Sequence, residues 1–332
     1  MTSSTSHSKT AAPRLVIALA IVALISWAGA AAYTLWVNPE LRDFTIGARV
    51  KRAYSQELTR QFAHKTIIFG GSSSSFSVDN CYATELGVPI ANLALGAGMG
   101  AQVLTRFALL EANPGDTLIM MMEPGLLHEK LEALQLGQQF AIAINHPELA
   151  RNDLLIESRR GISPGVYLSA LRPGGFHIGL VLAKLTSRTP LYRYKVGEYK
   201  PCGQKITSVR LPPTCPGGVG ELSAESRVFL GNLRDWCKAR NIRLAYALPW
   251  GYCAPDAMTR FRQQNLTTVR DIAGIMDVLA DPRLGAYGEK EQFADTGLHL
   301  TEEGARIRTA ELVPLIQQWK VWTVRDLEAM TP

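Results

Sequence analysis

No Cys-x-x-Cys pair, no Gly-Lys-Ser/Thr ending to a glycine turn and no dense Lys/Arg stripe occur in the 332 residues. The first absence denies zinc its closely spaced ligands, and the second removes the lysine with which a P-loop reaches phosphate. The third takes nucleic acid off the list of leading partners, even at a net charge of +6. Attraction to anionic lipid is the plainer reading of scattered basic residues. Cysteine is scarce as well: there are 5, an odd number, so at least one thiol lacks an intrachain partner. Cys202 and Cys215 bracket the Pro/Gly-rich stretch PCGQKITSVRLPPTC, which predicts a loop-closing disulfide between them.

Charge is also missing from residues 15–37, LVIALAIVALISWAGAAAYTLWV. That is long enough to cross a bilayer as a tilted helix. Trp27, Tyr33 and Trp36 suit interfacial anchoring. Residues 1–14 then read as a cytoplasmic tail and 15–37 as a transmembrane signal anchor, with everything after it exported. Basic residues flank both ends, and Ala28-Gly29-Ala30 offers the small residues of a processing site as the alternative. The reading predicts one pass through an inner or plasma membrane, with the bulk of the chain periplasmic or extracellular.

Residues 38–64 read as a helical connector, with Ile46, Val50, Tyr54, Leu58 and Phe62 recurring every fourth position. Then comes KTIIFGGSSSSFSVDN. Thr66–Phe69 suit a buried strand, and Gly70-Gly71 permit a tight turn that presents the Ser72 hydroxyl at the strand end. Ala83–Leu86 reads as a short helix, PIANLAL as a second strand, GAGMGA (96–101) as a second glycine turn opening a helix over 102–111, and TLIMMMEP as a third strand. Glu225–Arg240 and Ile242–Leu248 repeat the helix and strand alternation. The pattern predicts an α/β domain over 65–320 with a mostly parallel sheet and functional residues at the carboxyl ends of its strands. Residues 126–220 break the alternation and read as an insertion. Within it, 174–185 is apolar but too short for a second span, and His177 reads as a packed or surface histidine.

Near the end, FADTGLHLTEEG places Asp295 and His299 just before a helix capped by Thr301, with Glu302 and Glu303 in its first turn. A histidine there can reach over the strand ends toward the serine turn. Serine at neutral pH needs a neighbouring base, and a carboxylate on the far ring nitrogen fixes the imidazole tautomer.

Three blocks in this order resemble the SGNH/GDSL hydrolase superfamily, in particular its membrane-anchored bacterial members associated with cell-envelope or exopolysaccharide acyl groups. Gly70-Gly71-Ser72 resembles the first block, with Gly71 where many members have Asp. Asn92 to Gly96 resembles the second, with Ala94 in place of Gly. Asp295 and His299 resemble the last, with three intervening residues instead of two. The third block, Gly-x-Asn-Asp, is replaced by Met121-Met122-Glu123-Pro124. The resemblance implies a three-layer α/β/α sandwich with Ser72 as nucleophile, His299 as base and then acid, and Asp295 as its orienting partner. It further implies an oxyanion hole or substrate groove around Gly71, Asn92, Ala94, Gly96 and Glu123, with the Ser72 N–H as one donor. Neither cofactor nor metal is implied. The implied partners are an acylated glycan or small acyl ester, membrane lipid, and a membrane-bound O-acyltransferase or polysaccharide export machine.

Loss of one oxyanion donor costs about a hundredfold or more, so a non-catalytic glycan-binding or accessory protein is the alternative. A third reading comes from GAGMGA, which imitates a dinucleotide fingerprint with Glu123 at the next strand end and would make the chain a nicotinamide oxidoreductase.

Overall fold

The computed structural model describes residues 11–129, 131–157, 163–172, 186, 192–217 and 220–330. The apolar run at 174–185 and His177 lie outside the described residues. Helix α1 (Ala11–Ala32) continues through a π-helical turn at Tyr33–Val37. Together they form a helix long and apolar enough to span a membrane, Ala12–Val37.

Asn38 ends that helix and starts the next. Its side chain accepts the Glu40 and Leu41 N–H groups, and Pro39 takes the first position of α2 (Pro39–Gln61). The expected connector is helical, but it is not a tether held away from the domain. Its buried residues are Leu41, Asp43, Gly47, Ala48, Lys51, Ser55 and Leu58, so of the predicted stripe Leu58 is buried, whereas Ile46, Val50 and Tyr54 are half-buried and Phe62 is exposed. A four-residue repeat drifts around a 3.6-residue helix, and the docked face mixes small and polar residues that apolar periodicity does not mark.

The alternation after α2 builds one parallel sheet. In chain order come β1 (Thr66–Phe69), α3 (Ser72–Ser77), α4 (Asn80–Glu85), β2 (Ile90–Asn92), α5 (Ala101–Leu109) and β3 (Thr117–Met120). They are followed by α6 (Pro124–Glu129), α7 (Gln135–Ala143), α8 (Pro164–Ala170), α9 (Ala224–Ala239) and β4 (Arg243–Tyr246). The chain ends through β5 (Gly251–Tyr252), α10 (Pro255–Ala273), β6 (Asp277–Val278), β7 (Ala286–Tyr287), α11 (Glu302–Gln317) and α12 (Val324–Ala329). The sheet order is β2-β1-β3-β4-β6, every pairing parallel, with Ile68 opposite Asn92 and Ile119. The short β5 and β7 pair separately.

β-branched and aliphatic residues fill the central strands because both faces are buried. Ile67, Phe69, Leu118 and Met120 pack with Phe107, Phe140 and Phe229, whereas the alternate residues Ile68, Ile119 and Met121 pack with Val78, Leu312 and Val313. All strands run the same way, so the residues following β1, β2 and β3 share one edge.

Two disulfides fasten later segments to this frame, Cys81 to Cys202 and Cys215 to Cys253, and Cys237 is a buried free thiol. The predicted Cys202–Cys215 bridge is therefore wrong. Its bracketing turns do not bring the ends together: a tight reversal pairs Tyr199 with Lys205, after which the chain runs on to bond Leu211 N–H to Ala294 O. Cys202 stays beside α4 while Cys215 reaches the loop after β5.

Candidate active site

Ser72 is the first residue of α3, directly beyond β1. The two preceding glycines are required by close approach and not by unusual backbone angles, since Gly71 has an ordinary φ of −80°. A Cβ on Gly70 would lie 2.3 Å from Met121 O, and one on Gly71 would lie 2.2 Å from Glu123 Oε2. Among Ser72, Ser73, Ser74, Ser75 and Ser77, only Ser72 is half-buried; the others are buried. Ser74 Oγ donates to Met121 O and Ser77 Oγ to Ser73 O. Ser72 Oγ has no hydrogen-bond partner among the described residues, so its hydroxyl is uncommitted.

Asp295 and His299 lie on the loop that enters α11. Thr301 caps that helix by accepting the Gly304 N–H, as expected from sequence. Thr296 Oγ1 accepts the N–H groups of Leu298 and His299, which turns the loop back so that His299 Nδ1 lies 3.0 Å from Asp295 Oδ1. The three intervening residues thus allow the pair to meet. The Phe76 ring packs on the His299 ring at a centroid distance of 4.5 Å. Ser72 and Phe76 are four apart on α3 and share a face, so the imidazole sits over the face that begins at Ser72. Nδ1 faces Asp295, and Nε2 has no partner among the described residues.

Two further groups hold the acid. Tyr194 Oη donates to Asp295 Oδ2 at 2.7 Å and lies 3.1 Å from His299 Nδ1, and Arg193 Nη1 lies 3.2 Å from Asp295 Oδ2. Burial raises the Asp295 pKa, but hydrogen bonds from His299, Tyr194 and Arg193 outweigh it and hold the carboxyl down at about 2. Burial, and then the hydrogen bond to that carboxylate, push the Tyr194 phenol up. Asp295 is therefore an anion at neutral pH, and Tyr194 a neutral donor.

The expected oxyanion and substrate groups sit as follows. Asn92 ends β2, where its Nδ2 donates to Ser74 O at 2.8 Å and its Oδ1 accepts the Ala94 N–H at 3.0 Å. Gly96 gives room to Phe44, whose Cζ would lie 2.3 Å from a Cβ there. Glu123 Oε1 accepts the Ser73 N–H at 2.9 Å, with the carboxylate filling the space beside Gly71, and its Oε2 is buried without a partner. The carboxylate thus points at the first turn of α3, where a negative charge is favourable. Three amide donors near Ser72 are engaged, and the Ser72 N–H is left without a partner among the described residues.

Sequence reasoning missed Arg193, Tyr194 and Lys51. The first two lie in an irregular segment where only the alternation Tyr192-Arg193-Tyr194 sets them apart. Lys51 lies on α2 among charged residues that read as solvated. It is buried, and its Nζ donates to Asn92 O at 3.0 Å. Burial, then the nearby Lys205 charge, push its pKa down to about 7 against the opposing pull of Asp43. Asp43 itself binds Lys205 Nζ at 2.9 Å, accepts from Tyr192 Oη at 2.8 Å and accepts the Gly197 N–H at 2.8 Å. This cluster fastens the 192–206 segment, and with it Tyr194, to α2.

Asp79, Cys81 and Cys202 come close enough to suggest metal ligands, but the two sulfurs are bonded to each other. The turn GAGMGA is closed to a pyrophosphate: Gln102 N–H donates to Leu131 O, and a Cβ on Gly100 would meet Glu132 O at 1.8 Å. The amino end of α5 is thereby covered by the chain itself. Comparison of the chain with known protein families, with curated proteins and with solved structures found no match.

Proposed function

We propose that this chain is a membrane-anchored, SGNH-like acyl-ester hydrolase or O-acyltransferase, with a three-layer α/β/α domain outside the cytoplasm that acts on an O-acylated, chiefly O-acetylated, glycan. The observation that carries the reading is the Asp295–His299 pair, bonded at 3.0 Å, with the imidazole packed at a tilt against Phe76 over the face of α3 that begins with Ser72. In this scheme the Ser72 hydroxyl turns to His299 Nε2 when substrate binds; hydrogen bonds of this kind commonly tighten only in the complex. Ser72 Oγ attacks the ester carbonyl carbon while Nε2 takes its proton, and the Ser72 N–H faces the developing oxyanion. Collapse restores the carbonyl and breaks the bond from the acyl carbon to the alkoxy oxygen, and the leaving alcohol takes the proton from His299. Water or a sugar hydroxyl then attacks the acyl-serine and loses its proton to Nε2; the bond from the acyl carbon to Ser72 Oγ breaks, releasing the acid or the new ester respectively, and the proton returns to Ser72. Asp295 holds Nδ1–H throughout and stabilises the imidazolium.

The test is labelling of the full-length protein with a fluorophosphonate probe, together with turnover of small acetyl esters. Wild type should label and turn over, while Ser72→Ala should do neither and His299→Ala should fall by orders of magnitude. One observation favours a second reading, a glycan-binding accessory protein: Ser73, Ala94 and Asn92 each spend their amide donor inside the protein. Equal inertness of wild type and both variants, with glycan binding retained in all three, would select it.

A further inference from the structure

The anchor helix does not stand clear of the domain. Its residues from Leu15 to Ile25 are exposed, but from Trp27 onward coverage begins: Trp27, Ala30, Ala31, Ala32 and Tyr33 are half-buried and Thr34 is buried. Packed here are α7, which touches the Tyr33–Val37 turn, and α8, which packs on α7. The Trp27 indole Nε1–H donates to Leu168 O of α8 at 3.3 Å.

Depth follows from helix geometry, if Ala12–Val37 is the span. Its 26 residues rise about 39 Å at 1.5 Å each, against a hydrocarbon core of about 30 Å. Trp27 lies about 15 Å before the Val37 end by the same rise. Even with the whole excess of about 9 Å placed on the domain side, Trp27 remains about 6 Å inside the hydrocarbon, and tilt sinks it further. The Leu168 carbonyl, one hydrogen bond away, shares that depth.

The local chemistry of α8 fits a place without water. Short helices leave their last carbonyls to solvent, but here the chain supplies the donors. Tyr167 O accepts the Leu171 N–H, Leu168 O accepts the Trp27 indole, Ala170 O accepts Gln139 Nε2 at 3.0 Å, and Val166 O accepts Ser169 Oγ at 3.1 Å. Residues 163–171 carry no charge. Leu168 is 59% and Tyr167 37% exposed, so both side chains face outward from the domain at that depth. Exposed Arg172 follows directly, a side chain able to extend back toward headgroups.

We infer that α8 is a second membrane element, seated in the hydrocarbon of the leaflet on the domain's side, with Tyr167 and Leu168 in contact with lipid. The domain then rides in the leaflet surface as one body with its anchor, and α2, which follows after Asn38 and reaches Asn92 through Lys51, carries that fixed placement to the strand ends. A substrate of the site would be one presented close to the bilayer. This inference rests on α1 crossing the membrane.

The experiment reconstitutes the full-length chain in phosphatidylethanolamine/phosphatidylglycerol vesicles, with a nitroxide label on Leu168→Cys, Tyr167→Cys, Leu24→Cys or Val228→Cys in turn. The native thiols do not interfere: four are paired and Cys237 is buried. Power-saturation electron paramagnetic resonance compares collisions with apolar oxygen and with a water-soluble nickel chelate. The labels at 167 and 168 should match Leu24, with an oxygen-to-nickel ratio several-fold above that at Val228, which is exposed on α9. Lipid-like Leu24 with both α8 labels matching Val228 would overturn the inference and leave the anchor intact. A nickel-accessible Leu24 would overturn the anchor itself.

Discussion

The Cys81–Cys202 disulfide joins α4 to the segment that carries Arg193 and Tyr194 to the candidate site, and its removal is the most informative perturbation of the fold. Cross-linking residues 121 apart removes loop entropy from the unfolded chain worth about 5 kcal/mol at 25 °C, against about 4 kcal/mol for Cys215–Cys253 at a separation of 38. Either value is a large share of the roughly 5–15 kcal/mol that separates folded from unfolded chains. In Cys81→Ser/Cys202→Ser the segment keeps Asn80 Nδ2 on Cys202 O at 2.7 Å, Lys200 on Asp79 at 3.2 Å and Lys205 on Asp43 at 2.9 Å. The native arrangement should therefore persist with lower stability. Urea unfolding of the detergent-solubilised protein should show a loss of several kcal/mol at pH 7, larger than that of Cys215→Ser/Cys253→Ser. Fluorophosphonate labelling should fall further in the first variant than in the second, because only the first loosens the Tyr194 hydroxyl over Asp295. A loss under about 1 kcal/mol, or equal labelling in the two variants, would refute the idea that this bridge holds the site segment.

Three other outcomes follow from the same contacts. Asp295, held at about 2 by its donors, contributes stability that is present above the unfolded carboxylate pKa near 4 and is lost as pH falls through 2; Asp295→Asn should remove about 2 kcal/mol of that acid-dependent stability in pH-resolved urea melts and abolish ester turnover. Lys51 has its pKa lowered to about 7, so between pH 7 and 10 the unfolded state binds more protons and this group makes stability rise with pH. Lys51→Met should flatten that rise, as read by melts across the same window. Gly71→Ala would drive a methyl to 2.2 Å from Glu123 Oε2 and should cost about 1–3 kcal/mol, with Gly71→Ala/Glu123→Ala recovering most of it; additivity of the two changes in thermal melts would show that the carboxylate is not the obstacle.

Much of the frame was legible in the chain because local chemistry carried it. Thr66–Phe69, Ile90–Asn92 and Thr117–Met120 lie in short, largely apolar runs bounded by turn residues and alternating with helices, the pattern of parallel strands buried on both faces. Thr301 followed by two glutamates announced α11, and its cap formed as expected. The stripe on α2 misled because its docked face holds Asp43, Gly47, Lys51 and Ser55, residue types that mark a buried surface only once Lys205, Tyr199 and Asn92 are known to lie opposite. The disulfide pairing was illegible for a similar reason. Cysteine spacing states the length of a loop but not where the intervening chain is held, and here the anchors are Tyr199–Lys205 and Leu211–Ala294.

By itself, then, the sequence determined the apolar amino-terminal helix, the strand and helix alternation, and the placement of Ser72 just beyond β1 and of Asp295 and His299 just before α11, since each depends on residues close together in the chain. Tertiary structure alone decided that Tyr194 completes the hydrogen bonds of Asp295 and His299 from a segment 101 residues away. It decided too that Glu123 lies where a side chain on Gly71 would be. Those contacts join residues far apart in the chain, and no local propensity encodes which distant groups will share a buried site.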